Sequence, residues 1–239
     1  MTAPAAGRRT VLVTGGTRGI GRAIVAALAP GWRVLVGGTD ADAVARVVAE
    51  VAAECPDAAG FVADLADADA TAAAAAGIDR LDAVVHSAGV LAYGPVAEAS
   101  REEWRRVLEV NVVAVAHLTG ELLGALRAAR GHVVVINSGS GFNAGAGSGV
   151  YAASKFAVRA FADALRADER GRIRVTSVHP GRVATDMQVA LREAEGETYR
   201  AEDYLTPQAV ADAVAGVLAS EASASVDTLS IRPSGLASD

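Results

Sequence analysis

The chain has 239 residues, enough for one large or two small domains, and its hydrophobic share of 51% is ample for a core. Its formal net charge of -6 excludes the basic surface that nucleic-acid binding requires, and the lone Cys55 excludes an internal disulfide. We expect no membrane helix, because no stretch approaches roughly 18 apolar residues. With no apolar secretory segment near the start, we expect a cytoplasmic protein.

Short β-branched runs alternate with longer alanine-rich stretches along the chain. Because the runs are apolar throughout, they suit strands that are covered on both faces and joined by helical crossovers. The pattern predicts a single α/β domain over residues 1–239, doubly wound and of the Rossmann type, with a seven-stranded, mostly parallel sheet and helices on both faces. Residues 1–9 are expected to be flexible. The predicted strands are Thr10–Thr14, Arg33–Gly37, Gly60–Val62, Leu81–His86, His132–Asn137, Arg174–Val178 and Thr228–Ile231.

A glycine cluster follows the first predicted strand, in the segment Thr14-Gly-Gly-Thr-Arg-Gly-Ile-Gly21. Gly15, Gly19 and Gly21 would allow a tight turn and a close approach of a pyrophosphate to backbone N–H groups at a helix N-terminus. Glycine clusters also form ordinary structural turns. The position of this one, at a strand-to-helix junction, favours a nucleotide-binding loop.

Tyr151 and Lys155 lie four residues apart in a segment that indicates the start of a helix, so their side chains share a helix face. An ammonium close to a phenol favours the phenolate, and the pKa of Tyr151 should therefore fall from about 10 towards neutrality. A surface lysine beside a half-buried tyrosine is the ordinary interpretation of this spacing. Lys155 is, however, the only lysine beside 21 arginines. This indicates a task that a planar guanidinium cannot perform.

The glycine motif T-G-x-x-x-G-x-G together with Y-x-x-x-K resembles the classical short-chain dehydrogenase/reductase (SDR) family over nearly the whole chain. The resemblance implies reversible hydride transfer between a nicotinamide cofactor and a carbonyl or alcohol. It implies that Ser138 binds the substrate oxygen and that Tyr151 exchanges a proton with it. It also implies that Lys155 lowers the Tyr151 pKa and binds the nicotinamide ribose, and that Asn111 holds a water of the proton relay.

The residues themselves give partial support for the assignments of Asn111 and Ser138. Asn111 interrupts an apolar helical stripe, so its amide needs partners, among which are an ordered water and the neighbouring backbone. Ser138 ends an apolar run at the carboxyl edge of the predicted sheet, where open α/β sheets bind ligands. Ser140 is its nearby competitor. The four histidines and one cysteine form no pattern typical of a metal site.

The resemblance also implies the contacts to the cofactor. One departure from the family is His86-Ser87-Ala88-Gly89, where the family has Asn-Asn-Ala-Gly and ties neighbouring strands together through its side chains. The implied cofactor-binding residues are Gly15, Thr17, Arg18, Gly19, Ile20, Gly21, Thr39, Asp64, Leu65, Ser87, Ala88, Gly89, Tyr151, Lys155, Pro180, Gly181, Val183 and Thr185.

Cofactor choice depends on the end of the second strand, where an NAD enzyme places an acidic residue that accepts from the ribose 2′-hydroxyl. Gly38 occupies that position, Thr39 follows it, and Asp40 comes too late. Arg18 in the glycine loop can reach a 2′-phosphate. The sequence therefore predicts NADP(H), and NAD(H) would be preferred only if Asp40 turned inward.

The substrate is expected to lie under a lid formed by residues 185–206. A small or medium-sized ketone is the default. An acyl-carrier-bound 3-oxo substrate is the alternative, suggested by arginines at 127, 130, 170, 172 and 174, and a non-catalytic NADP(H)-binding sensor or scaffold is the alternative of another class. The predicted substrate contacts are Ser138, Tyr93, Phe142 and Met187, with Asn143, Val189, Leu191, Tyr199 and Tyr204 as further candidates that would otherwise only pack the lid.

The resemblance implies a homotetramer or homodimer, with two long helices, about Glu102–Arg127 and Val150–Asp168, paired across two-fold axes. These helices carry more apolar side chains than one sheet face is expected to cover. The side chains are Leu118, Leu122, Ala157, Phe161 and Leu165.

Overall fold

The computed structural model describes residues 7–235, which contain a seven-stranded sheet in the order β3-β2-β1-β4-β5-β6-β7. Every pair of neighbouring strands is parallel, so the predicted sheet is confirmed and is parallel throughout. The order reverses between β1 and β4, which creates the crevice where doubly wound folds bind ligands. The strands are β1 Arg9–Thr14, β2 Trp32–Gly38, β3 Ala59–Val62, β4 Ala83–His86, β5 His132–Ile136, β6 Arg174–Pro180 and β7 Thr228–Ile231.

Eight α-helices connect these strands within the described residues. Four of them begin at an N-cap side chain that accepts a hydrogen bond from the backbone three residues later: Asp40, Asp67, Ser100 and Thr206. The helices are α1 Gly19–Leu28, α2 Ala41–Val51, α3 Ala68–Ala75, α4 Arg101–Leu108, α5 Ala114–Ala129, α6 Gly149–Asp168, α7 Asp186–Glu195 and α8 Pro207–Ala219. Glu109–Val113 forms a π-helical turn between α4 and α5.

The hydrophobic core lies in two layers, one on each face of the sheet. Alternate residues of one strand serve opposite layers, since Val11 and Val13 pack with α1, α2 and α8 while Leu12 packs with α5 and α6. Both layers bury strand residues completely. This explains why the strands are apolar throughout instead of alternating.

The helical run Arg101–Ala129 has 29 residues and a mean hydropathy of 1.4 in its most apolar window, long and apolar enough to cross a membrane by length and composition. The expectation that no stretch approaches a membrane helix is wrong by this measure. Leu118, Leu122 and Leu126 of this run are fully buried against the sheet. A buried core helix of a soluble protein has the same composition.

The apolar side chains that suggested oligomer formation serve the core of this chain instead. Leu118, Leu122 and Leu165 are buried in the same layer, and Phe161 packs at its edge. The exposed large apolar side chains of this region are Val113 and Phe156, which are 49% and 42% exposed. The three leucines are therefore not available to pair these helices with those of a second copy.

The N-terminal segment is held from Arg8 onwards, and residues 1–6 of the stretch expected to be flexible lie outside the described residues. Arg8 donates to the backbone oxygens of Pro30 and Glu54 at 2.8 and 2.7 Å. Arg9 begins β1, and its guanidinium lies 4.1 Å from the ring centroid of Trp32. These contacts attach Arg8 and Arg9 to the folded domain.

Candidate active site

A cavity of about 500 Å³ opens at the carboxyl edge of the sheet, beyond the ends of β5 and β6. Ser138 and Tyr151 both line it, and the Ser138 side chain lies near enough to the phenol to act on the pKa of Tyr151. Ser140 lines it too, but its backbone N–H donates to the Ser138 Oγ at 3.1 Å. That bond orients the Ser138 hydroxyl. Of the two serines, Ser138 is the one that acts on the pKa of Tyr151.

Lys155 lies beneath the tyrosine and is 6% exposed. Its Nζ donates to the backbone oxygen of Ile136 at 3.1 Å and lies 5.6 Å from the ring centroid of Tyr151. Burial lowers the pKa of Lys155 from 10.5 to about 8. The ammonium is thus held by the end of β5, on the same side of α6 as the phenol.

The pKa of Tyr151 differs from the expectation. Burial raises it above the ordinary value of 10, and the hydrogen bond with Ser138 offsets this only in part. The expected fall towards neutrality is wrong for this structure, because desolvation of the phenolate outweighs any attraction by a lysine whose Nζ is bonded to a carbonyl. The phenol is therefore protonated at neutral pH.

Asn111 lies in the π-helical turn and is buried. Its Oδ1 accepts from the Val90 N–H at 2.8 Å, and its Nδ2 donates to the Val90 carbonyl at 2.9 Å and to the Ser154 Oγ at 3.0 Å. The Ser154 hydroxyl in turn donates to the carbonyl of Tyr151 at 2.7 Å. These bonds join the β4–α4 loop to α6, and the expected role of Asn111 in holding a water stays a prediction.

A second polar network holds the backbone of Ser138. Its central residues are Asn137 and His179, which the sequence analysis did not assign to the site. The Ser138 N–H donates to Asn137 Oδ1 at 2.9 Å, and His179 Nδ1 donates to the Ser138 carbonyl at 2.8 Å. Asn137 also donates to the backbone oxygen of Lys155 at 3.2 Å. The position of His179 directly before Pro180-Gly181 was the available signal.

The glycine loop has the shape of a nucleotide cradle. Gly15 and Gly19 have φ of +62° and +52°, which side chains rarely adopt. A Cβ at Gly21 would lie 2.1 Å from the Gly15 oxygen, and a Cβ at Gly15 would lie 2.9 Å from the Ala88 Cα. The loop therefore leaves its backbone open at the N-terminus of α1, where Thr17, Arg18 and Ile20 also lie, and these residues fit a bound pyrophosphate.

The ends of β1 and β4 are tied together without the family's asparagines. The Thr14 Oγ1 accepts from the N–H groups of Ser87 and Ala88, both at 3.1 Å. His86 is buried and bonds through Nε2 to the Thr119 Oγ1 of α5 at 2.9 Å. Threonine thus makes the link between strands, while the histidine binds a helix. A Cβ added at Gly89 would lie 3.2 Å from the Asn111 Oδ1.

The end of β2 leaves no acidic group for a ribose. Asp40 caps α2, with its Oδ1 accepting from the Ala43 N–H at 2.9 Å, so it does not turn inward. A side chain at Gly38 would lie 2.9 Å from methyl groups of Thr17 and Val44. The Arg18 side chain is 77% exposed and lies 4.0 Å from Asp186. Exposed Thr39 follows Gly38 at the same edge.

The remaining predicted cofactor residues border this crevice. Asp64 is exposed and accepts from the Ala66 N–H at 3.0 Å, and Leu65 packs against the core. Pro180, Gly181, Val183 and Thr185 line the cavity. The Thr185 Cγ2 lies 3.4 Å from an ideal Cβ at Gly19, so this segment meets the glycine loop.

Helix α7 and the turn after it lie in the segment that is expected to form the lid. Tyr93, Asn143, Met187 and Leu191 line the cavity, as expected for substrate contacts. Phe142 does not line the cavity, and its ring centroid lies 4.1 Å from that of His179. Tyr199 and Tyr204 stack on each other. Among residues 7–235, no cluster of His, Cys, Asp or Glu is placed to hold a metal ion.

The family model for short chain dehydrogenases matches residues 9–196. The chain belongs to the short-chain dehydrogenase family. The SDR match includes the glycine loop, Asn111, Ser138, Tyr151 and Lys155. It ends within the lid, so α8 and β7 lie outside the matched range.

SDR relatives of known name cover most of this chain. Serine 3-dehydrogenase of Agrobacterium fabrum is 28% identical over 94% of this chain and 93% of its own length. The 1-deoxy-11-beta-hydroxypentalenate dehydrogenase of Streptomyces exfoliatus is 40% identical over 80% of this chain and 74% of its own length. Glycine betaine reductase of Emericella nidulans is 33% identical over 94% of this chain, but the chain spans only 19% of that protein.

Solved SDR structures superimpose over nearly the whole chain. The actinorhodin polyketide ketoreductase, determined with NADPH, has a TM-score of 0.88 and 27% identity, covering 96% of this chain and 98% of its own. A putative NAD(P)-dependent gluconate 5-dehydrogenase from Beutenbergia cavernae, with bound NADP, has a TM-score of 0.82 and 36% identity over 93% of this chain and 94% of its own. The fold and the family are thus established together.

Proposed function

We propose that this SDR oxidoreductase reduces a small or medium-sized ketone with NADPH, with Tyr151 as general acid. The family acts on alcohols and carbonyls. The observation that carries the proposal is the pair of hydroxyl groups, Ser138 and Tyr151, that line the wall of one cavity, with Ser138 near enough to offset part of the rise in the Tyr151 pKa. A carbonyl oxygen seated between them meets two donors where its negative charge develops.

The protonation states suit reduction. A phenol with a raised pKa carries its proton at neutral pH and releases it only to a strongly basic oxygen such as a nascent alkoxide. Lys155, which is held below the phenol, contributes a positive charge that stabilises the phenolate left behind. When bound, the nicotinamide supplies the hydride.

NADP(H) fits the residues around the crevice better than NAD(H). Asp40 is occupied as a helix cap, and no side chain fits at Gly38 without displacing Thr17 or Val44. The exposed guanidinium of Arg18 is the cation available for a 2′-phosphate. The neighbouring structures determined with NADP or NADPH support the same choice.

Turnover tests the proposal. A panel of neutral ketones would be incubated with NADPH and followed at the NADPH absorbance band, with Tyr151→Phe as the inactive control. We expect reduction of at least one ketone by the wild type and at least about a 10²-fold lower kcat/KM for the variant. Nucleotide binding without any turnover would contradict the reductase and favour the alternative of a sensor or scaffold.

Three of the five arginines that suggested the acyl-carrier alternative have partners within this chain, whereas Arg130 and Arg170 are exposed. Arg127 and Arg172 both pair with Glu169, at 2.5 and 3.1 Å, and Arg174 bonds to the hydroxyl of Ser220. Pairing with Glu169 reduces the positive charge that Arg127 and Arg172 would present to an acidic carrier. A ketone that is not attached to a carrier is therefore the preferred substrate class.

We further infer that the chain forms a homodimer or homotetramer. Val113 and Phe156 expose apolar surface at the start of α5 and on α6, where a second copy would cover it. Sedimentation at micromolar concentration is expected to give a multiple of 24.1 kDa. A single species of that mass would contradict the inference.

A further inference from the structure

Arg232 follows β7 and lines the cavity beside Ser138. Its Nη1 donates to the backbone oxygens of His179 at 2.6 Å and Ile231 at 2.9 Å. Its Nη2 lies 3.3 Å from the position that a Cβ at Gly139 would occupy. The two backbone bonds therefore hold the guanidinium over the residue next to Ser138, at the reactive end of the cavity.

Three charged side chains line the cavity: Arg182, Glu195 and Arg232. Glu195 is paired with Arg182 at 2.6 Å and with Arg192 of the lid at 2.7 Å, so its charge is already compensated. In the described part of the chain, no carboxylate forms an ion pair within 4.0 Å of Arg232. Among residues 7–235, the lining thus keeps one positive charge that no carboxylate balances.

The chemistry of this charge selects the ligand group. A guanidinium offers a planar fork of donors that matches the two oxygens of a carboxylate, and a single cation suits a monoanion. The two backbone bonds that hold Arg232 in place both use Nη1, and its Nη2 is the group that lies near Gly139. Polar side chains of Ser140 and Asn143 and apolar side chains of Met187 and Leu191 line the same cavity, which suits a small molecule with both an anionic and an apolar part.

We propose that Arg232 binds a substrate carboxylate, so that the enzyme interconverts small oxo acids and the corresponding hydroxy acids. The inference rests on the reductase function proposed above and names its substrate class. With the carboxylate held beside Gly139, the carbonyl group lies towards Ser138 and Tyr151. Binding energy from the remote anion then orients the reacting carbon.

The first experiment compares matched substrates that differ only in charge. Kinetics with NADPH would be measured for 2-, 3- and 4-oxopentanoate and for the methyl ester of each. In the wild type, at least one acid should have a kcat/KM at least about tenfold above that of its ester. Arg232→Gln should reduce this ratio to about one, whereas Arg232→Lys, which keeps the charge, should retain a ratio above one.

A control variant separates the site from the overall charge of the protein. Arg46→Gln on α2 makes the same change in net charge at an exposed position that does not line the cavity. It should leave the acid-to-ester ratio unchanged. Equal kcat/KM for acid and ester in the wild type at all three chain lengths, or a ratio that survives Arg232→Gln, would overturn the proposal.

Calorimetry on the NADP⁺-loaded protein gives a readout that needs no turnover, because the oxidised cofactor cannot reduce the probe. The oxo acid that the wild type prefers, or each of the three if none is reduced, should bind more tightly than its ester, and Arg232→Gln should abolish the difference. Binding of this kind without reduction of any carbonyl would reject the reductase and keep the anion site. Reduction of neutral ketones without a preference for acids would reject the anion site alone.

Discussion

The titration of Lys155 can be followed without interference, because it is the only lysine among 239 residues. Lysine labelled with ¹³C at the ε position should give one resonance, whose shift reports the ammonium directly. The side chain is 6% exposed, and burial lowers its pKa from 10.5 to about 8. At about 1.4 kcal/mol for each unit of pKa, the folded protein disfavours the charged form by roughly 3 kcal/mol.

The same shift makes stability depend on pH in a defined direction. The pKa of Lys155 is lower in the folded state than in the unfolded state, so the unfolded chain binds more protons between about pH 8 and 10.5. The free energy of unfolding contributed by this residue should therefore rise with pH across that window, by up to roughly 3 kcal/mol. Lys155→Met lacks the titrating group, so it should lack this increment.

Urea unfolding of the wild type and of Lys155→Met at pH 7, 8, 9 and 10 would measure the increment. Taking the difference between the two proteins removes the contributions of other groups that titrate in this range. The stability of the wild type relative to the variant should rise from pH 8 upwards. A resonance that titrates at or above 10.5, or a difference that stays flat across the range, would refute the conclusion that burial controls this ammonium.

Three further predictions concern the catalytic pair, the cofactor and the glycine loop. Lys155→Arg should lower kcat/KM by at least about 10²-fold, because a broad guanidinium does not fit the buried site of the ammonium. Steady-state kinetics would measure this with Tyr151→Phe as the comparison. Near-native activity of Lys155→Arg would contradict the prediction. The wild type should prefer NADPH to NADH by at least about tenfold in kcat/KM, and Arg18→Ser should remove most of that preference. The same NADPH-to-NADH ratio in the two proteins would show that Arg18 does not bind the 2′-phosphate. Gly21→Ala should lower the free energy of unfolding by at least about 2 kcal/mol, since its Cβ would meet a backbone oxygen at 2.1 Å. Gly216→Ala, inside α8 with nothing within 4 Å, should instead raise it by about 0.5–1 kcal/mol in the same urea experiment.

Sequence reasoning succeeded where one local pattern determines the structure. Strands buried on both faces, such as β4 and β5, are apolar throughout. All seven runs could be recognised, with ends that differ by at most two residues, although the edge strands β3 and β7 are partly exposed. Helical spacing likewise placed Tyr151 and Lys155 on one side of α6. The glycine pattern indicated a loop in which two glycines have positive φ.

It failed where a property depends on partners that are distant in the chain. The spacing of Tyr151 and Lys155 contains no information on the Ile136 carbonyl that holds the ammonium, or on the burial that raises the phenol pKa. Asn111 is bonded to Val90, 21 residues earlier, and spacing alone does not reveal such a pair. Phe142 follows the cavity residues in sequence but packs on His179 behind them.

The π-helical turn at Glu109–Val113 amounts to one extra residue inserted into a helical run of 29 residues. Deleting one residue there would restore a regular helix but rotate α4 against α5 by about 100°. Asn111 would then turn away from Val90 and Ser154, and the loop after β4 would lose its link to α6. The π-helical turn thus fixes the rotation of α4 relative to α5. A variant with one residue deleted from this turn should keep its helical content but lose the alignment of its active site.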